Sequence, residues 1–346
     1  MRSLVQPLFH GERVQRYREV MAGICAEELA TWPPHEPMPL SPRLQAITLR
    51  VIMSVIFGVT GGERQETLAT RIRRLLEWGE NPLHMTSHHA RFMLGRAPTR
   101  TFRRLRDPLD ELIFEEIDRT RRDPRLEERD DILAMLVQAR YEDDSALTER
   151  ELRDQLMTLL IQGHHSTANA LAWALERLMR HPDVLERLRA EAETESEEYL
   201  GAVVSETLRL FPPVPVATRR VNQPYRLGKY ELEPGTVIAV NNYSLQRRPD
   251  LWPEPNRFLP DRFLGEPPAK YTWNPFGGGE RHCIGRSFAT TEIHVVLRTL
   301  VRQARLAPAE LADEEIVKDG VLLAPRRGAR AVLLERVPAP EAAAAA

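Results

Sequence analysis

The densest chemistry in this chain lies in ten residues, Phe276 to Gly285, which read FGGGERHCIG. A lone cysteine is ordinarily a small buried hydrophobe, but the residues around Cys283 point elsewhere. Gly277, Gly278 and Gly279 let the backbone fold back and approach a flat ligand closely. Arg281 offers a rigid cationic fork of the kind that grips a carboxylate. The pattern after Cys283 predicts a helix, whose open N–H groups and positive end would stabilise a thiolate. A glycine bend, a cation two residues ahead and a helix start behind describe an axial haem ligand, with Cys283 on the iron.

Two further charge motifs precede that loop. Glu206 and Arg209, in ETLR, are three residues apart on a predicted helix and can meet there. Arg262 follows in FLPDRF. Together these strings resemble the cytochrome P-450 family. Its cysteine signature F-x-x-G-x-R-x-C-x-G is matched by Phe276, Gly279, Arg281, Cys283 and Gly285. ETLR is similar to the family's E-x-x-R pair, and FLPDRF to its P-x-R-F element, with Arg262 as third member of that buried network. The resemblance implies that Phe276, Gly277, Arg281 and Gly285 border the haem, that Arg219 contacts a propionate, and that Ala289 lies against the ring.

A third element sits in a long helical pattern, at QGHHSTANAL. The family usually has A/G-G-x-D/E-T-T. Gly163 and Thr167 match, whereas Gln162, His165 and Ser166 stand where the small residue, the acid and the first threonine are usual. The resemblance implies that His165, Ser166 and Thr167 manage protons for dioxygen chemistry and that Gly163 borders the haem. Serine keeps the hydroxyl. Histidine, with an ordinary pKa of about 6.5, can relay protons in place of the acid. His164 and His165 are neighbours on a helix and point in different directions, which argues against a zinc pair.

Near the start, RSLVQPLF resembles the end of the helix that carries W-x-x-x-R in the family, with Arg2 at the arginine position and also toward the haem. The tryptophan would fall before residue 1, so the expectation is a chain lacking the family's N-terminal helices and strands. AEAETESEEYL is short where the family has a longer connection.

The elements that must position these residues are mostly helices. Apolar spacing predicts helices over Val14 to about Trp32, Pro39 to about Val59, and near 63–79, 101–121 and 130–140. The longest runs from about Thr148 to Arg180, and two more end near Ala192 and Phe211. From Pro212 to Phe263 nine prolines break short apolar runs, which predicts short strands and irregular meander. A last helix from just after Cys283 to about Arg305 leads into a hairpin-like end around DGVLLAPRRGARAVLLERV. The expected fold is mainly α with a small β part, one P-450-like domain over 1–337 and a disordered tail over 338–346.

Composition narrows the classes. With 48 Lys plus Arg against 50 Asp plus Glu, net charge is -2, which gives no hint of a nucleic-acid partner. Two cysteines, Cys25 and Cys283, fit a reducing compartment and no disulfide framework. No run of 18 apolar residues is present, so no membrane segment is predicted, and the expected location is cytoplasmic. The resemblance implies a monooxygenase carrying haem b. It would oxidise a small, largely apolar organic substrate with dioxygen. Electrons would come from NAD(P)H through a reductase and a ferredoxin or flavodoxin. Two alternatives stand beside it: a peroxide-driven peroxygenase, suggested by the altered relay, and a truncated, non-catalytic haem-binding protein.

Overall fold

The computed structural model describes residues 9, 12–58, 62–94 and 99–338; Arg2 and the 339–346 tail lie outside them. In chain order the elements are α1 (Glu12–Ala30), β1 (Pro37–Pro39), α2 (Leu40–Phe57), α3 (Glu63–Glu80), α4 (Pro82–Met93), α5 (Arg100–Arg121) and α6 (Ile132–Gln138). There follow α7 (Glu149–Arg180), α8 (Pro182–Ala192), α9 (Glu198–Leu210), β2 (Val216–Arg220), β3 (Tyr225–Leu227), β4 (Tyr230–Leu232) and β5 (Val237–Asn241). The chain ends with α10 (Arg286–Gln303), β6 (Ala304–Pro308), β7 (Ile316–Asp319), β8 (Leu322–Pro325) and β9 (Arg330–Arg336). This is the mainly helical, α+β architecture that the apolar spacing predicts. Helix α4 is an addition: NPLHMTSHHARFM has a proline and weak helix formers, and its spacing alone does not announce a helix.

Cα packing groups the chain into two compact units. The first comprises Met1–Trp32, Pro42–Ala168 and Ile284–Val296. Its helices start where local chemistry satisfies open N–H groups. Thr99 Oγ1 accepts from Phe102 N, and Asp131 Oδ1 accepts from Ala134 N, which moves the start of α6 from the expected 130 to Ile132. Thr148 and Glu151 form a reciprocal capping box at the start of α7. Helix α2 buries Ile47, Val51, Ile52, Val55 and Ile56. Among the described residues it alone is long and apolar enough to cross a membrane, and 67% of it is buried inside the protein. Arg153 reaches from α7 to Asp110 of α5, and Arg64 of α3 grips Glu115 and Glu116.

The second unit comprises Pro33–Ser41, Asn169–Cys283 and Leu297–Ala346. Its three-stranded antiparallel sheet has the order β1-β9-β6. The expected C-terminal hairpin is divided: β7 pairs with β8, whereas β9 leaves that hairpin to pair with β6 and β1. Strands β2 and β5 form a separate antiparallel pair, from Val216↔Asn241 to Arg220↔Val237, and Val216, Val237 and Val240 on it are exposed. Trp173 stacks on Phe211, ring centroids 4.1 Å apart, and Arg177 lies over the other ring. Asn169 Nδ2 donates to Leu323 O at 3.2 Å.

Candidate functional site

In the second unit the cysteine loop is turned by backbone chemistry that glycine makes possible. Gly277 N donates to Asn274 O, closing a turn, and Gly277 and Gly279 take φ of 69° and 68°, the left-handed region that residues with a Cβ rarely adopt. A single 3-10 turn, Gly279–Arg281, follows. Cys283 N then donates to Phe276 O at 2.8 Å, which closes the loop on itself. This bond joins two of the predicted site residues directly. Phe276 is held edge-on to Trp273, and Trp273 Nε1 donates to Ser205 O of α9.

The loop leaves the Cys283 thiol exposed, whereas Cys25 is fully buried, with Sγ 3.9 Å from Val296 O. Burial, and secondarily Glu28, pushes the Cys25 thiol far above the ordinary thiol range, so it is an inert packing group. Helix α10 begins at Arg286, three residues past Cys283, with Ala289 N bonded to Gly285 O at 2.8 Å. Gly285 thus occupies the capping position, and Cys283 immediately precedes the helical turn it caps. A Cβ built on Gly285 would meet nothing within 4 Å.

Arg219 lies on β2 opposite Ile238, exposed, with its guanidinium on Thr218 O at 2.8 Å. Arg281 is exposed as well. Among the described residues neither forms an ion pair with a carboxylate, although 28% of the chain is charged. No group of three or more His, Cys, Asp or Glu that could hold a metal ion occurs among the described residues. An exposed cysteine on an open glycine turn, with Arg281 two residues ahead and no carboxylate paired to Arg219 or Arg281 among the described residues, fits haem, whose iron would take the thiolate and whose two carboxylates would take guanidinium groups.

In the same unit the predicted charge triad is assembled. Arg209 clasps Glu206 through Nε at 2.6 Å and Nη2 at 2.9 Å, with both side chains fully buried. Arg262 Nε and Leu259 N add donors to Glu206 Oε1 at 3.0 and 2.9 Å. The remaining Arg209 N–H groups reach Gln246 O, Pro255 O and Arg257 O. Every polar atom of the pair is therefore used, the condition under which buried ions are tolerated. The network ties α9 to the 246–262 segment. A cavity of about 550 Å³ lies alongside, lined by Arg177, Arg187, Tyr199, Phe211, Phe258 and Asp261 among others; it does not include the cysteine loop.

In the first unit Gly163, His165, Ser166 and Thr167 fall within two turns of α7, which is helical without interruption. A Cβ on Gly163 would come within 3.0 Å of Ile52 Cγ1, so this glycine allows α2 and α7 to pack closely. Ser166 Oγ donates to Gln162 O at 3.3 Å, and Thr167 Oγ1 to Gly163 O at 3.4 Å. Each hydroxyl keeps its lone pairs open to a further donor. The two histidines differ sharply. His164 is buried, its Nδ1 sits 2.8 Å from Leu160 O, and burial depresses its pKa to about 4. It is neutral at physiological pH, with the proton on Nδ1. His165 is partly exposed, its ring 6.0 Å from that of His164.

Sequence spacing does not reveal Glu292, on α10. Its carboxylate is fully buried, neither oxygen has a hydrogen-bond partner among the described residues, and burial raises its pKa well above the ordinary range.

Against known proteins, the sequence model of the family described as Cytochrome P-450 matches residues 1–330. Cytochrome P-450 137 of Mycobacterium tuberculosis is 38% identical over 332 residues, covering 95% of this chain and 69% of that protein. Cytochrome P-450 138 of Mycobacterium bovis is 36% identical over 345 residues, covering 97% of this chain and 76% of its own. Among solved structures, a retinoic-acid-bound cyanobacterial CYP120A1 is similar at a TM-score of 0.81 and 25% identity, over 97% of this chain and 78% of that one. The haem domain of cytochrome P-450DA has the same fold, with a TM-score of 0.82 at 23% identity over 97% and 77%.

Proposed function

The chain belongs to the cytochrome P-450 family of haem-thiolate monooxygenases, and we propose that it inserts one oxygen atom from dioxygen into a small, largely apolar organic molecule. Electrons reach it from NAD(P)H through a ferredoxin or flavodoxin, and the enzyme works in the cytoplasm. The observation that carries this reading is the Cys283 thiol, exposed at the end of a loop closed on Phe276 O.

Haem b, when bound, supplies the dioxygen-activating and electron-storing chemistry. The chain's own residues hold and serve it. Cys283 gives the thiolate ligand. Phe276, Gly277, Gly285 and Ala289 would border the haem. Arg219 and Arg281 neutralise the two carboxylates. On α7, Ser166 and Thr167 each donate to the helix backbone and accept a proton donor at Oγ. Of the two histidines, His165 is the relay. His164 cannot bring a proton at neutral pH, because its pKa is about 4.

The test is spectroscopic and stoichiometric. The reduced carbon-monoxide complex should show the red-shifted Soret band of thiolate ligation, lost in Cys283→Ala and kept in Cys25→Ala. NAD(P)H-driven product formation with a surrogate ferredoxin should exceed peroxide-driven formation, and His165→Glu should alter product formed per electron consumed. Turnover with peroxide alone would replace this reading by the peroxygenase. A bound haem without turnover from either source would make the chain a haem-binding protein.

A further inference from the structure

A cavity of about 550 Å³ lies within the second unit and shares no residue with the cysteine loop. Its walls come from the end of α7, from α8 and α9, and from residues 256–261. Pro182 opens α8 directly after α7 ends at Arg180, and the turn between them sets His181 in the wall. His181 Nδ1 sits 2.7 Å from Arg177 O, and its ring packs 5.2 Å from that of Phe258. Val184, Tyr199, Phe211 and Phe258 are buried, which gives the cavity an apolar, mostly aromatic floor. Three guanidinium groups share the lining. Arg177 is committed to Glu176 and lies over Phe211. Arg187 lies over Tyr199, Cζ 3.9 Å from the ring centroid, and gives Nη1 to Asp261 at 2.5 Å. Arg257 gives Nη1 to Glu254 at 2.6 Å. Arg187 and Arg257 are exposed, and each keeps further N–H groups for an added acceptor. Of the two carboxylates in the lining, Asp261 is taken by Arg187, and Asp183 complements the positive end of α8 from its first turn.

Aromatic walls alone would accept any apolar molecule, and guanidinium groups alone any anion. Their combination in one cavity selects a flat ring that carries a negative group. The volume falls within the roughly 300–1,000 Å³ of small-molecule sites. We propose that the cavity is a second small-molecule site, and that it takes an aromatic carboxylate. The ring would rest on Val184, Phe211 and Phe258, and the carboxylate would bridge Arg187 of α8 and Arg257 of the 256–261 segment. Tyr199 preorganises Arg187 for this task, since stacking restricts the guanidinium before the ligand arrives. The site also touches the buried triad. Arg257 O accepts from Arg209 Nη2 at 3.2 Å, and Leu259 N donates to Glu206 Oε1 at 2.9 Å. A ligand that ties α8 to this segment therefore steadies the backbone around Glu206 as well.

The test is isothermal titration of the haem-loaded protein with 2-naphthoate, with imidazole present to occupy the iron. The expected result is one saturable site and no movement of the Soret band. Arg187→Gln and Arg257→Gln should each raise Kd about tenfold. Asp183→Asn, which removes a repelling charge, should lower it about twofold. Asn256→Trp, on the exposed rim, should block the site. 2-Naphthylmethanol, which keeps the ring, and acetate, which keeps the charge, should each bind at least about tenfold more weakly. All four replaced side chains are exposed, so the melting temperature without ligand and the carbon-monoxide spectrum should not change. Naphthoate should slow proteolysis of residues 246–262 in the native protein and not in Arg257→Gln. Unaltered affinity in both arginine variants, or loss of binding once imidazole is present, would place naphthoate elsewhere and overturn the proposal. Equal binding of 2-naphthylmethanol would reduce the cavity to an apolar pocket, and equal binding of acetate to a plain anion site; either result overturns it too.

Discussion

A methyl group placed on Gly163 would stand 3.0 Å from Cγ1 of Ile52 and 3.1 Å from its Cδ1. Real side chains rarely approach so closely, so the glycine sets how near α7 comes to α2. Gly163→Ala should therefore destabilise the fold by about 1–3 kcal/mol through overpacking, despite alanine's better helix propensity. Pairing it with Ile52→Val, which removes the Cδ1 methyl, should restore part of the loss. Denaturant midpoints of the two single variants and the double variant give the coupling. Additive effects would mean that the two side chains do not meet.

Stability should fall in acid through His164. Its folded pKa, about 4, lies below the roughly 6.5 of the unfolded chain. Above pH 6.5 both states are neutral and the contribution is complete. As pH drops toward 4, the unfolded chain takes up a proton that the folded protein refuses, and up to about 3 kcal/mol is lost. His164→Gln should flatten that window while leaving the stability slope elsewhere unchanged. Urea unfolding at pH 7 and pH 4.5 measures it.

Glu292 acts with the opposite sense. Its folded pKa is raised by burial, so the folded protein holds a proton that the unfolded chain releases once pH passes its ordinary range. The fold is unpenalised below about pH 4 and destabilised increasingly above it. Glu292→Gln removes the titration at nearly constant size. It should stabilise the protein at pH 7 by more than about 1 kcal/mol and have no effect near pH 4. A stability gain that does not change with pH would show that the carboxyl is paired.

Removing one member of the buried triad should cost far more than surface ion pairs do. Glu206→Ala leaves Arg209, fully buried, and Arg262 without their carboxylate. About 3–5 kcal/mol of stability should go with it, enough to expose α9 and the 246–262 segment to limited proteolysis. The exposed pair Arg248–Asp250 is the control: Asp250→Ala should change stability by less than about 1 kcal/mol.

What could be read from residues alone was whatever depends on short, fixed spacing. The Glu206–Arg209 pair, the closure of the loop at Cys283 and the length of α7 all follow from offsets within one or two helical turns. Helix α4 escaped because the described contacts of its inner face are made by histidines, at 84 and 88, which stack on Trp78 and Phe102 from other helices. Glu292 escaped because a glutamate amid Thr291, Ile293 and His294 looks like an ordinary polar turn; only the packing around α10 removes its water. The start of α10 lies two residues past the expected position just after Cys283 because the cap is Gly285, a residue that also reads as part of the preceding bend. His164 and His165 are indistinguishable as letters, and burial alone separates the neutral packing residue from the partly solvated one.

The contrast between the two cysteines turns the protein into its own reporter. An alkylating reagent added to the ligand-free protein meets Cys283 at the surface and should modify it at nearly the rate of a free thiol. Cys25, beneath α10 against Val296 O, is reached only when α1 lifts away, so its modification counts opening events. Mass spectrometry of a single time course would then separate two populations by mass shift. One modification marks a folded molecule whose Cys283 is accessible; two mark a molecule that has opened. Slowing of the first modification on adding haem, with the second slowed in turn, would measure ligand occupancy and conformational protection in the same tube.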